Sequence, residues 1–127
     1  MNLYRAQERL ILAKLLIDLN KTIHKGRLGK RFHSTIAGEV ELILIAAAVL
    51  VGYVQGHPRN AAELSRQLGI PRPTIVRKLA RLIDHGIIER VDGHRYVTTD
   101  NVPGDDYSYV DHALHLIKDA AKKIPAT

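Results

Sequence analysis

The chain has 127 residues, of which 46% are apolar and 25% charged; this is the balance of one ordinary globular domain and excludes an intrinsically disordered chain. It contains no cysteine, which excludes disulfides, thiolate metal sites and cysteine nucleophiles. The net charge is +6, and a basic balance of this size favours a polyanionic partner, either nucleic acid or an anionic membrane surface.

The positive charge lies in two parts of the chain. Residues 1–38 carry eight Lys and Arg against two Asp and Glu, and residues 57–98 carry eight against four. Residues 39–56 and residues 99–127 each carry a net charge of −2. The two basic segments are therefore the candidates for contact with a polyanion.

Two helices are predicted in the N-terminal part. Over residues 2–24, apolar residues recur at three- and four-residue steps, which predicts a helix. These residues cover so much of the helix surface that we expect it to be buried on two sides. A second subunit could cover one of the two sides. Residues 25–33 contain two glycines and a basic cluster. We interpret them as a solvated loop or, alternatively, as an arm that contacts DNA phosphates. Ser34 or Thr35 can cap a second helix, which runs to about Val54.

The next segment has the pattern of a short capped helix. Asn60 and Glu63 have the spacing of a capping box, in which each side chain accepts a hydrogen bond from the backbone N–H of the other residue. Gly69 suits the left-handed position that ends a helix, and Ile70 is expected to fill the turn that follows. We therefore predict a short helix between Asn60 and Gly69.

A second helix is predicted after this turn. It begins near Pro71 or Arg72, since proline costs little in the first turn of a helix, and it runs to His85 before Gly86. Its apolar face is formed by Ile75, Leu79, Leu82 and Ile83. A mostly polar face is formed by Thr74, Arg77, Lys78 and Arg81. Two helices joined by a turn of about three residues that contains a glycine are typical of a helix-turn-helix.

A β-hairpin is predicted directly after the helix pair. Residues 87–91 and residues 94–99 are strand-like. Asp92-Gly93 between them is a strong hairpin signal, because both central residues of such a turn need a positive φ. A hairpin in this position is a wing.

The residues after Asn101 are predicted to form a terminal amphipathic helix. Asp105, Asp106 or Ser108 can cap it, and lysines lie near its C-terminal end, where the helix dipole favours them. Its apolar residues repeat at helical steps at Val110, Ala113, Leu114, Ile117, Ala121 and Ile124. An outlying helix with such a face needs a partner to cover it.

Other classes of site are not indicated. The apolar run 42–54 has thirteen residues, short of the about 20 that a membrane-spanning helix needs, so we expect a buried helix and no membrane contact. His112 and His115 share a helix face, but two histidines fall short of a metal-ligand set. There is no Ser/His/Asp grouping and no glycine-rich phosphate loop. We therefore expect no metal, no cofactor and no enzyme activity.

The segment from Asn60 to Arg90 resembles the core of MarR-type and related winged-helix regulators. Those proteins typically show Ala-Glu-Leu-Ala, Leu-Gly-Ile-Ser, Pro-Thr-Val and Gly-Leu-Ile-x-Arg. The corresponding stretches here are Ala62-Glu-Leu-Ser65, Leu68-Gly-Ile-Pro71, Pro73-Thr-Ile75 and Gly86-Ile-Ile-Glu-Arg90. Two departures are Pro71, where the family often has a capping serine, and a short wing, so IclR-like and other winged-helix relatives stay open as alternatives.

The resemblance implies a mainly α fold with a small β-hairpin wing, that is, a winged helix-turn-helix flanked by N- and C-terminal dimerisation helices. We expect residues 1–127 to form a single domain. Within it, residues 1–56 form the N-terminal helices for dimerisation and core, residues 57–99 the DNA-binding lobe, and residues 100–127 the C-terminal dimerisation helix. Two subunits would then contact half-sites about 34–36 Å apart.

The second helix of the motif is expected to lay its N-terminal half in the major groove of double-stranded DNA. Arg59, and Arg66 on the first motif helix, are weaker candidates for phosphate contact. The main predicted contacts are to base edges by Arg72, Thr74 and Arg77, to thymine methyl groups by Pro73 and Val76, to phosphates by Lys78 and Arg81, and to a minor groove or the backbone by His94 and Arg95.

Together these features predict a cytoplasmic, homodimeric transcription regulator that binds double-stranded DNA sequence-specifically, and we expect a repressor. The family resemblance also implies a small-molecule effector, often aromatic. Two alternatives are a winged-helix module that binds a protein partner and a non-specific, chromatin-type DNA-binding protein. An interaction module would tolerate charge loss at Arg72 and Arg77, whereas a chromatin-type protein would show almost no preference between DNA sequences.

Overall fold

The computed structural model describes residues 4–25, 36–99 and 108–125. In chain order these contain α1 (Ala6–Lys25), α2 (Ile36–Val54), β1 (Arg59–Asn60), α3 (Ala61–Leu68), α4 (Arg72–Asp84), β2 (Ile88–Val91), β3 (Arg95–Thr98) and α5 (Ser108–Lys122). The chain divides into two compact units: α1 and α5 form the helical unit, and the remaining elements form the winged-helix unit. The predicted basic arm after Lys25 and the caps at Ser34, Thr35, Asp105 and Asp106 lie outside the described residues.

The winged-helix unit is organised around α2. One face of α2 is buried through Leu42, Ile45 and Val49, and the helix packs against α3, α4 and β3. The other fully buried side chains of this core come from α3, α4 and β2, at Leu64, Ile75, Leu79, Leu82 and Ile88. In the structure α2 belongs to the winged-helix unit, and the predicted boundary at residue 56 stays a prediction. Within the described ranges, no helix has both the length and the hydropathy that crossing a bilayer requires.

The capping box and the helix end predicted for α3 are confirmed. The Glu63 backbone N–H donates to Asn60 Oδ1 at 2.8 Å, and the Asn60 backbone N–H donates to Glu63 Oε1 at 3.0 Å. Gly69 has φ +69°, in the left-handed region, and its N–H donates to the Ser65 carbonyl. Ser65 Oγ also donates to the Ile70 carbonyl at 2.6 Å, which fixes the turn between the two helices of the motif.

The predicted wing is confirmed and belongs to a three-stranded sheet. β2 and β3 pair antiparallel, and Asp92 and Gly93 in the connection both have positive φ, +51° and +78°. The sheet order is β1-β3-β2, with Arg59 opposite Tyr96 and Asn60 opposite Arg95. β1 was not predicted, because a strand of two polar residues has no alternation from which to infer it.

The approach of the chain to β1 depends on a glycine near the end of α2. The His57 backbone N–H donates to the Gly52 carbonyl at 2.8 Å. A Cβ at Gly52 would lie 2.9 Å from the carbonyl oxygen of His57 and 3.0 Å from Cγ of Arg59. Glycine at this position therefore allows the chain to fold back over α2 and brings Arg59 to the start of α3.

The helical unit is a pair of helices with much apolar surface left uncovered. α1 packs against α5. Ile11 and Leu15 of α1 are half-buried, whereas Leu12 and Leu16 are 66% and 71% exposed. No residue of α5 is buried, and its Val110, Leu114 and Ile117 are exposed. Packing α1 against α5 therefore leaves part of the apolar surface of each helix exposed. The wide apolar surface of the first helix predicts this result.

Candidate nucleic-acid interface

α4 presents one buried and one exposed face. Ile75, Leu79 and Leu82 hold the helix to the core with at most 1% of each residue exposed. The outward face of its N-terminal half carries Arg72, Pro73, Val76 and Arg77, all exposed, with Thr74 half-buried beside them. Arg81, further along the helix, is half-buried. Five of the nine predicted contact residues are thus brought together on the first two turns of α4.

Lys78 is the first correction to the predicted interface. Sequence analysis places it on the exposed face, and this placement is wrong: the residue is only 7% exposed. Its Nζ lies 3.4 Å from Oε1 of Glu41 on α2. The sequence does contain the signal for this, since Lys78 follows Ile75 by three positions and precedes Leu82 by four, which puts it on the buried face. Its aliphatic stem can pack there while the ammonium pairs at the edge.

Arg95 is the second correction. It opens β3 directly after the turn of the wing, where it pairs with Val91, and it is half-buried. The guanidinium Nη1 donates to the Pro58 carbonyl at 2.8 Å and lies 3.6 Å from Glu63 Oε1. His94, one residue earlier, is exposed in the turn, with Nδ1 2.9 Å from the Asp92 carbonyl oxygen.

The wing carries an exposed cation that is not among the predicted contacts. Arg90 on β2 lies with its guanidinium carbon 5.7 Å from the centre of the Tyr96 ring. This is the range of a cation–π contact, which holds the side chain along the wing surface. The cross-strand pairing of Arg90 with Tyr96 gives the contact its geometry, and that pairing depends on the register of the hairpin.

Glu63 joins the start of α3 to the wing. Besides its hydrogen bond from Asn60, it has three basic neighbours: Oε2 lies 3.5 Å from Arg59 Nη1 and 3.7 Å from His57 Nε2, and Oε1 faces Arg95. The hydrogen bond from the Asn60 backbone N–H is the main cause that holds the pKa of Glu63 below its ordinary value of 4.5. Partial burial opposes this shift, and the positive charges around the carboxylate add to it.

The lowered pKa makes stability depend on acid pH. Ionised Glu63 stabilises the fold fully above pH 4.5, and this contribution is lost as the pH falls through the lowered pKa of the folded state. We expect Glu63→Gln to be less stable than the wild type at neutral pH and to lose less stability on acidification, as measured by urea unfolding at a series of pH values.

A matched control for the Glu63→Gln variant lies in the helical unit. The pKa of Asp119 is also lowered, by its hydrogen bond from Lys123 at 3.0 Å. Asp119→Asn is expected to leave hydrogen-exchange protection of the α3 amides unchanged at neutral pH, whereas Glu63→Gln lowers it. Equal effects of the two variants on α3 would contradict a role for Glu63 in joining α3 to the wing.

The fold has three features of the DNA-binding winged helix-turn-helix class. These are the helix pair α3 and α4, the exposed basic face of α4 and the three-stranded wing. Residues 43–95 match the family model described as MarR family, a match that runs from α2 to the first residue of β3. Neither the curated proteins nor the solved structures that were searched gave a match. The resemblance and the winged-helix fold predicted from the sequence are confirmed: residues 43–95 are similar to the MarR family of DNA-binding transcription regulators, and they fold as a winged helix-turn-helix.

Proposed function

We propose that this protein binds specific sequences of double-stranded DNA by placing the N-terminal half of α4 in the major groove. The observation that carries this proposal is the division of α4 into two faces. Ile75 is fully buried, whereas its neighbours Pro73, Val76 and Arg77 are exposed. The winged-helix core therefore supports the helix from behind and leaves the basic face accessible, which is how a recognition helix is presented to DNA.

The side chains on this face suit direct contact with base edges. Arg72 and Arg77 can each pair with O6 and N7 of a guanine through two hydrogen bonds, and Thr74 can bond to either base of a pair. Pro73 and Val76 offer apolar surface to a thymine methyl group. Phosphate contacts by Arg81, and by His94 and Arg90 on the wing, would fix the position of the protein without adding sequence information.

Two predicted contacts are assigned a different role in this proposal. Lys78 pairs with Glu41, and Arg95 bonds to the Pro58 carbonyl and faces Glu63. Both side chains would have to leave partners inside the protein to reach DNA. We assign them to holding α4 and the wing in place.

We further propose that the regulator is a homodimer joined through the helical unit, and that it acts as a repressor by covering promoter DNA. The proposal is supported by the exposed leucines of α1 and the lack of buried residues in α5. A second copy offers the same apolar surfaces, so a two-fold arrangement can cover both. The small aromatic effector stays a prediction of the family resemblance.

The dimer gives a testable prediction at Leu16, which is 71% exposed. Leu16→Glu would bury a carboxylate in each half of a two-fold interface and is expected to raise the dimer dissociation constant by about 100-fold. Analytical ultracentrifugation measures this. The wild type should sediment at twice the 14.2 kDa chain mass. Gln7→Glu, an exposed polar position in the first turn of α1, adds the same charge and should remain dimeric.

DNA binding is tested by fluorescence anisotropy of labelled genomic fragments, including the region upstream of the protein's own gene, at two salt concentrations. We expect one or a few fragments to bind tightly, with an affinity that falls steeply as salt displaces the phosphate contacts. Equal binding to every fragment would indicate a non-specific, chromatin-type protein. No binding even at low salt would overturn the proposal and favour a protein-interaction module.

A further inference from the structure

We infer that the ion pair between Lys78 of α4 and Glu41 of α2 sets the position of the recognition helix, and that the protein's discrimination between DNA sequences depends on this pair. The inference rests on the proposed function, since it concerns how that same helix is aligned with base edges. In this assignment Lys78 is a positioning residue and makes no contact with DNA.

The contact joins two helices that are far apart in the chain. Lys78 Nζ lies 3.4 Å from Glu41 Oε1, and the two side chains are 9% and 39% exposed. The lysine stem thus lies within the α2–α4 interface, while the carboxylate reaches it from the more open side. A nearly buried ammonium depends on its partner, because removing one member of such a pair leaves an uncompensated charge.

The charge pattern of α4 makes this partner important. Before Asp84 the helix contains Arg72, Arg77, Lys78 and Arg81 and no acidic residue. Lys78 and Arg81 are three positions apart, so their like charges are neighbours on the helix surface. Glu41 therefore supplies from another helix a negative charge that α4 lacks before Asp84.

The start of α4 has no side-chain cap. Pro71 occupies the N-cap and makes no side-chain hydrogen bond to the first turn. The helix is otherwise held by Ile75, Leu79 and Leu82, and apolar burial is not directional. The ion pair adds an attraction between one point on α4 and one point on α2, and this attraction favours one rotation and one height of α4 on α2.

Discrimination should be more sensitive to such movement than overall affinity. Bidentate hydrogen bonds from Arg72 or Arg77 to a guanine require a fixed distance and direction, whereas phosphate contacts tolerate displacement. A small displacement of α4 relative to the base edges would therefore weaken binding to the preferred sequence more than binding to an unrelated one.

The test uses Glu41→Gln, Lys78→Gln and the double variant, each measured against a duplex that the wild type selects from a randomised library and against a scrambled duplex. Electrostatics alone predicts opposite effects: loss of Glu41 would strengthen binding to DNA, and loss of Lys78 would weaken it. Positioning predicts that each substitution lowers the ratio of the two affinities, by roughly ten-fold. The double variant should be no worse than the more severe single variant, since both remove the same contact.

The dependence of affinity on salt separates positioning from phosphate contact. If Lys78 positions α4, the slope of log affinity against log salt concentration stays that of the wild type in every variant. If Lys78 contacts a phosphate, Lys78→Gln lowers the magnitude of this slope by about one, and Glu41→Gln raises affinity for both duplexes; that result would overturn the inference. Lys118→Gln, on an exposed position of α5, controls for the loss of one positive charge.

Folding is checked by circular dichroism before binding is compared. Should Lys78→Gln fail to fold, Glu41→Gln carries the test, because Glu41 is 39% exposed and tolerates an amide. A folded Glu41→Gln protein with unchanged discrimination would overturn the inference while leaving the proposed function intact. A wild type that prefers no duplex would overturn the proposed function itself.

Discussion

Replacing both Arg72 and Arg77 by alanine is expected to lower affinity for a preferred duplex by about 2–6 kcal/mol, since each bidentate arginine–guanine pair contributes about 1–3 kcal/mol. Both side chains are exposed on the outward face of α4, so their loss leaves the core untouched. Affinity for a scrambled duplex should fall much less. Anisotropy titration of the two duplexes measures both quantities.

The control for this prediction removes the same charge elsewhere. Lys118→Ala with Lys122→Ala changes two exposed lysines of α5 and lowers the net charge by the same two units. If bulk charge governed binding, this variant would lose as much affinity as the arginine variant. Equal losses in the two variants, or equal losses of preferred and scrambled binding, would contradict base contact by α4.

The second large effect is expected at Ile75, which is fully buried between α4 and the core. Ile75→Ala removes three heavy atoms from this core and should lower the free energy of unfolding by about 2–5 kcal/mol. The effect should be visible in urea unfolding followed by circular dichroism. It should also appear as faster hydrogen exchange of the α4 amides, which report on the winged-helix unit specifically.

The adjacent residue provides an internal comparison. Val76 is 48% exposed on the opposite face, and Val76→Ala should change the free energy of unfolding by less than about 0.5 kcal/mol. If Val76 contacts a thymine methyl group, the same variant should lose affinity for the preferred duplex. Similar stability losses at positions 75 and 76 would mean that α4 does not present the two faces described here.

Most of the winged-helix motif could be predicted from short stretches of the sequence. The capping box at Asn60 and Glu63 and the left-handed Gly69 depend on a few neighbouring residues, and the structure has them as the sequence predicts. The same holds for the positive φ values at Asp92 and Gly93. In each case a backbone requirement selects a particular residue type, so the sequence records the requirement directly.

Contacts between distant parts of the chain were not predictable in this way. The orientation of Arg95 depends on the Pro58 carbonyl, 37 positions earlier, and the partner of Lys78 lies on α2. The spacing of Lys78 from Ile75 and Leu82 indicates the buried face of the helix, but it does not identify Glu41 as the partner. Lys78 and Arg95 are the two predicted contacts that have partners inside the protein, whereas the exposure of Arg72 and Arg77 agrees with the prediction.

The most direct test of DNA contact by α4 is an NMR titration of the assigned backbone amides with the preferred duplex; the 14.2 kDa chain suits this measurement. The account predicts the largest shift changes over residues 72–77 and at the wing turn, residues 92–94, with small changes in α1 and α5. Large changes confined to α1 and α5, with α4 unaffected, would contradict it.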